Sequence, residues 1–455
     1  MKASNHLFLL LALLPIPKFI ERDSKVRGML EAQLVHRCLD FVTEPLKKAA
    51  KIRVMMFDPV GSLRYCFTPL IAYIADTPEA ATIAGVTGKT SHITMASYKE
   101  FSDSLRHPPR TAENTLLQLI SIKSQGTDPN DLKTYGKEAL KYHLNGVHHP
   151  FWRNWPMAQP DTFLTPEPLH HWHKQFWDHD VKWCIQVIGG AEINFQFSVL
   201  HPTTGFCQFP KGIANLKQVT GQEHRDIQRY LISVIADAVP NCPFLIAVQA
   251  LMDFWYMAQA PCISDSGCKK IQQSFTLFHE HKDAIIKAGA RRGKANKVIT
   301  EWHIPKLEFL QSVVPSIRGC GVPIQWSAHV TEQAHISEIK YPSRLTNNQQ
   351  YEAQIVCHLD RVDKCHRFDL ATSLQDSQDQ LAVIQLLEGL VDDKDLNDRN
   401  ENSDRDSTNL IQRQTEYCSP QVNYFSLAVA LAKGEFPNAP LPYQTFAIEH
   451  AAFHL

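Results

Sequence analysis

The feature that most constrains the fold is a succession of helical patterns that begins at Thr165. The clearest lies within 348–370, where apolar residues recur at the three- and four-residue intervals of an amphipathic helix: Tyr351, Ile355, Leu359 and Val362. The sequence predicts further helices, which are 166–189, 222–239, 243–259, 269–289 and 305–318. A short extended piece is expected over Ala191–Leu200. We therefore predict a mainly helical region over 166–391.

Residues 1–85 show shorter and more mixed patterns, which predict an α/β region. The expected elements are a helix over 24–42 with Asp23 or Ser24 as N-cap, a hairpin of Arg53–Phe57 and Leu63–Phe67, a buried strand over Pro69–Ile74, and a helix opened by Thr77-Pro78-Glu79. Residues 86–165, rich in proline, glycine and aromatic clusters, are predicted to be irregular.

Composition and charge exclude several classes of protein. Hydrophobic residues make up 44% of the 455, so wholesale disorder is excluded, and no run is long enough for a membrane helix. The 46 basic and 47 acidic residues nearly cancel, so any basic surface for nucleic acid must be local. An acidic stretch within 392–412 is predicted to be a disordered linker, and 413–455 a small C-terminal tail segment.

The start of the chain has two interpretations. Lys2 and the apolar run Leu7–Leu14 are typical of a signal peptide, but Pro15-Ile16-Pro17 stand where small residues precede cleavage. We interpret the run as buried core. The 11 cysteines, an odd number without a C-x-x-C pair, favour reduced thiols, with a zinc site at Cys357-His358 and Cys365-His366 as an open alternative.

Three acidic residues are candidates for chemistry. Asp76 follows a predicted buried strand, where α/β folds place metal or substrate groups, and Asp58 lies in the preceding hairpin turn. Both also suit ordinary roles, as a helix cap and a turn former. Glu192 follows two glycines in an apolar setting, which suits an N-cap or a metal ligand.

Two other groups of residues are also candidates for a chemical role. In LHHWHKQFWDHDVKWC, a helix would place His170, His173 and Lys174 on one face, either to bind a metal or to pack. Residues 269–297 hold eight basic and two acidic residues, and a glycine-containing loop there can follow a phosphate backbone. The candidate DNA-binding residues are Lys287, Arg291, Arg292, Lys294 and Lys297. These residue types leave open a metal-dependent phosphoryl-transfer enzyme or a non-catalytic binding protein.

Several strings together make the chain resemble the Plavaka-type fungal transposases, relatives of the CACTA/EnSpm class. They run from about residue 7 to 390 and include LLALLPIPKF, DPVGSLRYCFTPLIAYIADTPEA, LNGVHHPFWRNW, FLTPEPLHHWHKQFWDHDVKWC, GAEINFQFSVL, GIANLKQVTGQEHRDIQRY, MDFWYMAQAP and CHLDRVDKCHRFDLATS. The resemblance implies an α/β fold in which a partial RNase H-like core carries a large, mostly α-helical insertion and a helical C-terminal region.

That resemblance also implies a DDE-type site in which three acids bind two Mg²⁺ or Mn²⁺ ions for DNA cleavage and strand transfer. Asp76 matches the second acid and Glu192 the third, and Asp58 is a further candidate metal ligand. The implied partners are DNA and possibly further copies of the chain, with no membrane, and the implied location is the nucleus.

Departures from the family pattern lead to a further expectation. The first catalytic Asp of the family lies upstream of the segment resembling LLALLPIPKF, and Asn194 stands where an acid is expected. We therefore expect an N-terminally truncated copy that is catalytically incompetent. The alternative is a non-enzymatic DNA- or protein-binding transposon remnant.

Overall fold

Helices form most of the structure, a computed structural model that describes residues 11–15, 18–57, 62–217, 219–239, 242–293 and 296–388. The α-helices are α1 Ser24–Val42, α2 Glu44–Ile52, α3 Thr77–Ala84, α4 Ala112–Ser124, α5 Leu132–Lys141, α6 Pro160–Phe163, α7 Lys182–Ile188, α8 Gly190–Ser198, α9 Gly221–Ile235, α10 Cys242–Ala258, α11 Asp265–His281, α12 Asp283–Lys287, α13 Pro305–Leu310, α14 Val313–Cys320, α15 Ala328–His335, α16 Tyr341–Arg344 and α17 Tyr351–Glu388. Two strands, β1 Val54–Phe57 and β2 Leu63–Cys66, pair antiparallel.

The described residues divide into two compact units. The first comprises those within 1–44 and 69–334, and the second those within 45–68 and from 335 onward. The second unit holds α2, the β1–β2 hairpin, α16 and α17. The first unit holds the main hydrophobic core and all of the site described below.

The core of the first unit is built around α10. This helix is apolar on nearly every side and packs against α9, α11 and α12, which is why it is buried. At its centre the indole of Trp172 lies 5.7 Å from that of Trp255 and 5.9 Å from that of Trp326, measured between ring centroids. Large aromatic rings therefore supply much of the buried apolar area.

Two π-helical segments, Pro168–His173 and Phe176–Val181, precede α7. A π-helix is wider than an α-helix and often marks a functional site. Here its side chains spread into different surroundings. His171 packs between His92 and Phe309, with ring centroids 5.6 and 5.0 Å away, while the rings of His224 and His329 lie within 6.3 Å of His173.

Several sequence predictions are confirmed. α1 spans 24–42, and its N-cap is Asp23, whose carboxylate accepts a hydrogen bond from the N–H of Lys25 at 2.9 Å. The hairpin forms with Val54 opposite Cys66, and α3 begins at the predicted Thr77. The helices predicted over 166–370 are present, although several are divided into shorter pieces.

Three local predictions were wrong. Pro69–Ile74 is not a strand, because only Tyr73 forms a bridge, a parallel one to Leu164. Ala191–Leu200 is helical: α8 buries Ile193 and Phe197, four residues apart, so packing overrides a β-like composition. Residues 86–165 were predicted to be irregular but contain α4 and α5. Their N-caps, Thr111 and Asp131, lie among proline-rich sequence and were missed.

The predicted helical character is confirmed, but the RNase H-like α/β core is not. Within the described ranges, the β-sheet consists of the two-stranded β1–β2 hairpin. The N-terminal run predicted to be buried core is described only from Leu11 on, where Leu11 and Leu14 are exposed, so that part of the prediction was wrong. Its residues up to Leu10, the turn that contains Asp58, and the predicted 392–412 and 413–455 segments lie outside the described ranges. No helix in the described part of the chain is long and apolar enough to cross a membrane.

The buried histidines predict sensitivity to acid. Burial lowers the pKa of His92 to about 3, helped by the charge of Arg110, so the folded state does not take up the proton that the unfolded state binds near pH 6.5. Stability is therefore present above pH ~6.5 and is lost as the pH falls toward ~3. We expect His92→Phe to reduce the loss of stability at low pH. Urea unfolding from pH ~7.5 to ~4.5 measures the free energy of unfolding of both proteins.

Phe309→Leu is the matched control, because it disturbs the packing of the same ring without removing a titrating group. It should lower stability equally at every pH. An acid dependence that is identical in wild type and His92→Phe would contradict the prediction.

Candidate functional site

The Glu167 carboxylate is the centre of the candidate site. It is fully buried and accepts N–H hydrogen bonds from Leu169 at 2.8 Å, from His170, and from Ala328 at 3.1 Å. Glu167 is thus the N-cap of the first π-helical segment, and the same carboxylate binds the start of α15, 161 residues further along the chain. This one side chain joins the two segments.

His170 completes the Glu167 interaction and faces outward. Its Nδ1–H donates to Glu167 Oε1 at 2.8 Å, and its Nε2 lies 3.5 Å from Glu332 Oε1. The Glu167 hydrogen bond, with the charges of Glu167, Glu332 and Asp76, raises the pKa of His170 against the opposing effect of burial. The ring of His170 is therefore partly exposed and lies between two carboxylates, buried Glu167 at Nδ1 and Glu332 at Nε2.

Asp76 lies close enough for its charge to raise the pKa of His170. It caps α3 by accepting the N–H of Glu79 at 2.9 Å, with Pro78 in the first turn. Tyr73 donates its hydroxyl to Glu79 Oε1 at 3.0 Å. Loss of hydration raises the pKa of Glu79; the Tyr73 bond opposes this, Asp76 adds to it, and His170 opposes it.

A short backbone pairing brings these residues together. The N–H of Tyr73 donates to the carbonyl of Phe163 at 2.7 Å, and Tyr73 forms its parallel bridge with Leu164. Three residues beyond each partner lie Asp76 and Glu167. The structure therefore gathers a cluster that we call the His170 cluster, composed of Tyr73, Asp76, Glu79, Glu167, His170 and Glu332.

Glu192, the other predicted acid, has a different setting. It lies on the exposed side of the first turn of α8, where it accepts a hydrogen bond from Gln196 at 2.7 Å. Neighbouring Asn194 accepts the N–H of Ala214 at 2.8 Å. Gly212 has a φ of +70° and touches Asn194 so closely that a Cβ would lie 2.3 Å from its Cα. The amide at 194 thus has a structural role in holding the 209–214 loop.

The predicted shared face of His170, His173 and Lys174 was wrong. His173 is buried beside His224 and His329, and Lys174 is exposed and paired with Asp178 at 3.0 Å. The π-helical geometry is the reason, since its wider turn does not bring residues three and four apart into the register of an α-helix.

The predicted DNA-binding loop is partly committed to internal contacts. Arg291 is buried, donates to the carbonyl of Glu301 at 2.6 Å, and lies 5.1 Å from the ring centroid of Trp302. Arg292 donates to the carbonyls of Gly289 and Asn296. Exposed Lys287 and Lys297 remain candidates for DNA binding, and Lys294 lies outside the described residues.

The described residues do not fit a two-metal site as they stand. Among them, no group of three or more His, Cys, Asp or Glu side chains is placed to bind a metal ion. Glu167 has its oxygens filled by N–H donors, and no described contact joins Asp76 to Glu192. Cys357 and Cys365 are free and exposed on α17.

Sequence reasoning singled out Asp76 but missed three of its carboxylate neighbours, Glu79, Glu167 and Glu332. A signal for two of them was present. The tripeptide Thr-Pro-Glu occurs at 77–79 and again at 165–167, each time where a helical segment begins. Glu332 has no such signal, because only the tertiary fold brings α15 to His170.

Removing the Glu167 carboxylate should be costly. We expect Glu167→Ala to lower the free energy of unfolding by about 3 to 5 kcal/mol, because it leaves buried backbone donors and the partly exposed His170 ring without their acceptor. Urea unfolding measures the change. Glu332→Ala is the control: its side chain is 48% exposed, so the cost should stay below about 1 kcal/mol. Equal costs would contradict the assigned role.

His170 should stabilise the fold with the opposite pH dependence to His92. Its folded pKa is raised, so the contribution is full below pH ~6.5 and is lost as the pH rises through the raised value. The stability gap between wild type and His170→Gln, measured by urea unfolding, should therefore shrink from pH ~6 to ~9. In a Glu167→Gln background the gap should depend less on pH. A gap that widens with pH would contradict the assignment.

Comparison with known proteins supports the resemblance for part of the chain. No curated protein matches it. The family model described as Plavaka transposase matches residues 1–184, about two fifths of the 455 residues. The matched range contains Asp76, Glu79, Glu167 and His170 and ends before Glu192. Over residues 1–184, the chain is therefore confirmed to match the Plavaka transposase family.

Proposed function

We propose that the chain is a transposase-like protein that acts on DNA by phosphoryl transfer, with the His170 cluster as its reaction centre. The observation that carries the proposal is that His170 lies 2.8 Å from Glu167 and 3.5 Å from Glu332, with Asp76 and Glu79 near enough to act on it electrostatically. All of these residues except Glu332 lie in the range of the family match. A Plavaka-type transposase would have DNA as its partner and the nucleus as its location, and both belong to the proposal.

The chemistry assigned to His170 follows from its two ring nitrogens. Nδ1–H is held by buried Glu167, which fixes the orientation of the ring. Nε2–H faces the half-exposed side, where Glu332 at 3.5 Å is a loose partner. An incoming phosphate oxygen can replace Glu332 there. In the proposed step, water attacks the phosphorus and gives its proton to a carboxylate of the cluster while the bond from phosphorus to the 3′-oxygen breaks. The protonated form of His170 gives its Nε2 proton to that departing oxygen.

Asp76 and Glu79 have complementary roles in this proposal. Asp76 is held by its capping bond, so one carboxylate oxygen has a fixed position beside His170. Glu79 accepts the Tyr73 hydroxyl, and loss of hydration raises its pKa against the effect of that bond. The family implies Mg²⁺ or Mn²⁺, which carboxylate oxygens suit; since the described acids do not form a fitting group, both ions enter the test as variables.

A second candidate function is DNA binding without cleavage. The observation that favours it is the separate placement of the two predicted acids: Asp76 caps α3, and Glu192 pairs with Gln196 on α8. The chain would then bind transposon DNA, alone or as a homo-oligomer, without cutting it.

Nicking of supercoiled plasmid by the full chain distinguishes the two functions. Nicking is measured with Mg²⁺, with Mn²⁺ and with chelator, and we expect a decrease of about 100-fold in Asp76→Asn and in His170→Gln under the conditions in which wild type nicks. Asp131→Asn is the matched control, because Asp131 caps α5 with the same bond, to the N–H of Thr134, away from the cluster.

The outcomes are separable. Nicking that survives in Asp76→Asn would exclude the His170 cluster as the centre. If the wild-type chain slows the migration of plasmid in a mobility-shift assay but does not nick it, that result would support the second candidate. A chain that does neither would contradict both.

A further inference from the structure

One aspartate, Asp178, lies within ion-pair distance of three lysines. The Asp178 carboxylate lies 3.0 Å from the Nζ of Lys174, 3.8 Å from that of Lys182 and 4.0 Å from that of Lys306. Lys174 and Lys182 stand one turn before and one turn after Asp178, and Lys306 comes from the first turn of α13. We call these four residues the Asp178 cluster.

The ratio of charges in this cluster is unusual within the described part of the chain. Lys141 with Glu138, and Lys364 with Asp360, are one-to-one pairs. One carboxylate neutralises one lysine, so the Asp178 cluster keeps an excess of two positive charges. Gathering like charges costs free energy, which indicates a use beyond stabilising the fold.

Neighbouring groups report the same positive potential. Burial lowers the pKa of His179 to about 3, and Arg291, Lys306 and Lys182 lower it further, while Asp178 opposes them. The other acid that acts on Lys306 is Glu167, which is already paired with His170.

The lysines are accessible to different extents. The side chains of Lys174 and Lys182 are 54% and 60% exposed, whereas that of Lys306 is 19% exposed. Burial lowers the pKa of Lys306 to about 8, with Asp178 opposing and Lys174 adding to the effect, so it is still mainly a cation at neutral pH. Two exposed cations thus lie around the same carboxylate as a third that is largely buried.

We propose that Lys174, Lys182 and Lys306 form a contact surface for the phosphodiester backbone of DNA, with Asp178 holding the lysines in place when no DNA is bound. This inference rests on the proposed action on DNA and assigns a face for it. Phosphate oxygens would take over the lysine contacts and release counterions. The Asp178 cluster is better placed for this than Arg291, whose guanidinium is buried against Trp302.

The test is binding of the full chain to a fluorescent duplex of about 20 base pairs across a salt titration. We expect Lys174→Gln and Lys182→Gln each to weaken binding and to reduce the salt slope by about 1. Asp178→Asn should tighten binding, because it removes the one negative charge from the cluster. This opposite sign separates an electrostatic role from general damage to the fold.

Lys141→Gln and Glu138→Gln are the matched controls, since they alter an exposed one-to-one pair elsewhere. Both should bind DNA as wild type does. Lys306→Gln tests the third lysine, and circular dichroism shows whether this variant folds. If it does not fold, the variants of the two exposed lysines provide the test.

Each result has a definite meaning. If wild type binds DNA and the Asp178 cluster variants bind it equally well, the surface assignment is overturned while action on DNA stands. If wild type does not bind DNA, the proposed function itself fails. Binding to phosphatidylserine vesicles in preference to the duplex would also overturn the proposal, because the lysines would then serve a membrane surface.

Discussion

The buried carboxylate of Glu167 is the interaction on which the candidate site depends. Its oxygens accept N–H groups from the start of the π-helical segment and from the start of α15, and they fix the ring of His170. A buried charge is tolerated only when donors surround it, so these contacts are mutually dependent. Without Glu167, His170 would lose its orientation and α15 its attachment.

Local signals in the sequence predicted much of the helical framework. The N-cap of α1 at Asp23 and the Asp76-Thr77-Pro78-Glu79 start of α3 follow from side-chain chemistry that acts within one turn. What failed depends on packing at a distance. The β-like residues of α8 become helical because Ile193 and Phe197 enter the core together, and no residue type announces a π-helix.

The site was predictable only at its most local point. Asp76 was singled out because an acid after a buried strand can have a chemical role; the strand prediction was wrong, but Asp76 does act electrostatically on His170. Its partners come from residues 167, 170 and 332, and the link is one backbone pairing between Tyr73 and Leu164. Such a pairing leaves no periodic pattern in the sequence. The resemblance instead implied one site for Asp76 and Glu192, and Glu192 lies exposed on α8, where it bonds to Gln196.

In the proposed function, the charges along 167–182 would let an acidic centre receive DNA. Carboxylates around His170 repel a phosphate backbone, and one imidazolium does not offset three or four of them. The same segment continues to Lys174 and Lys182, and Lys306 interacts with both Asp178 and Glu167. The excess cations therefore lie next to the acids, where they can attract the polyanion to a centre that its own charge would keep away.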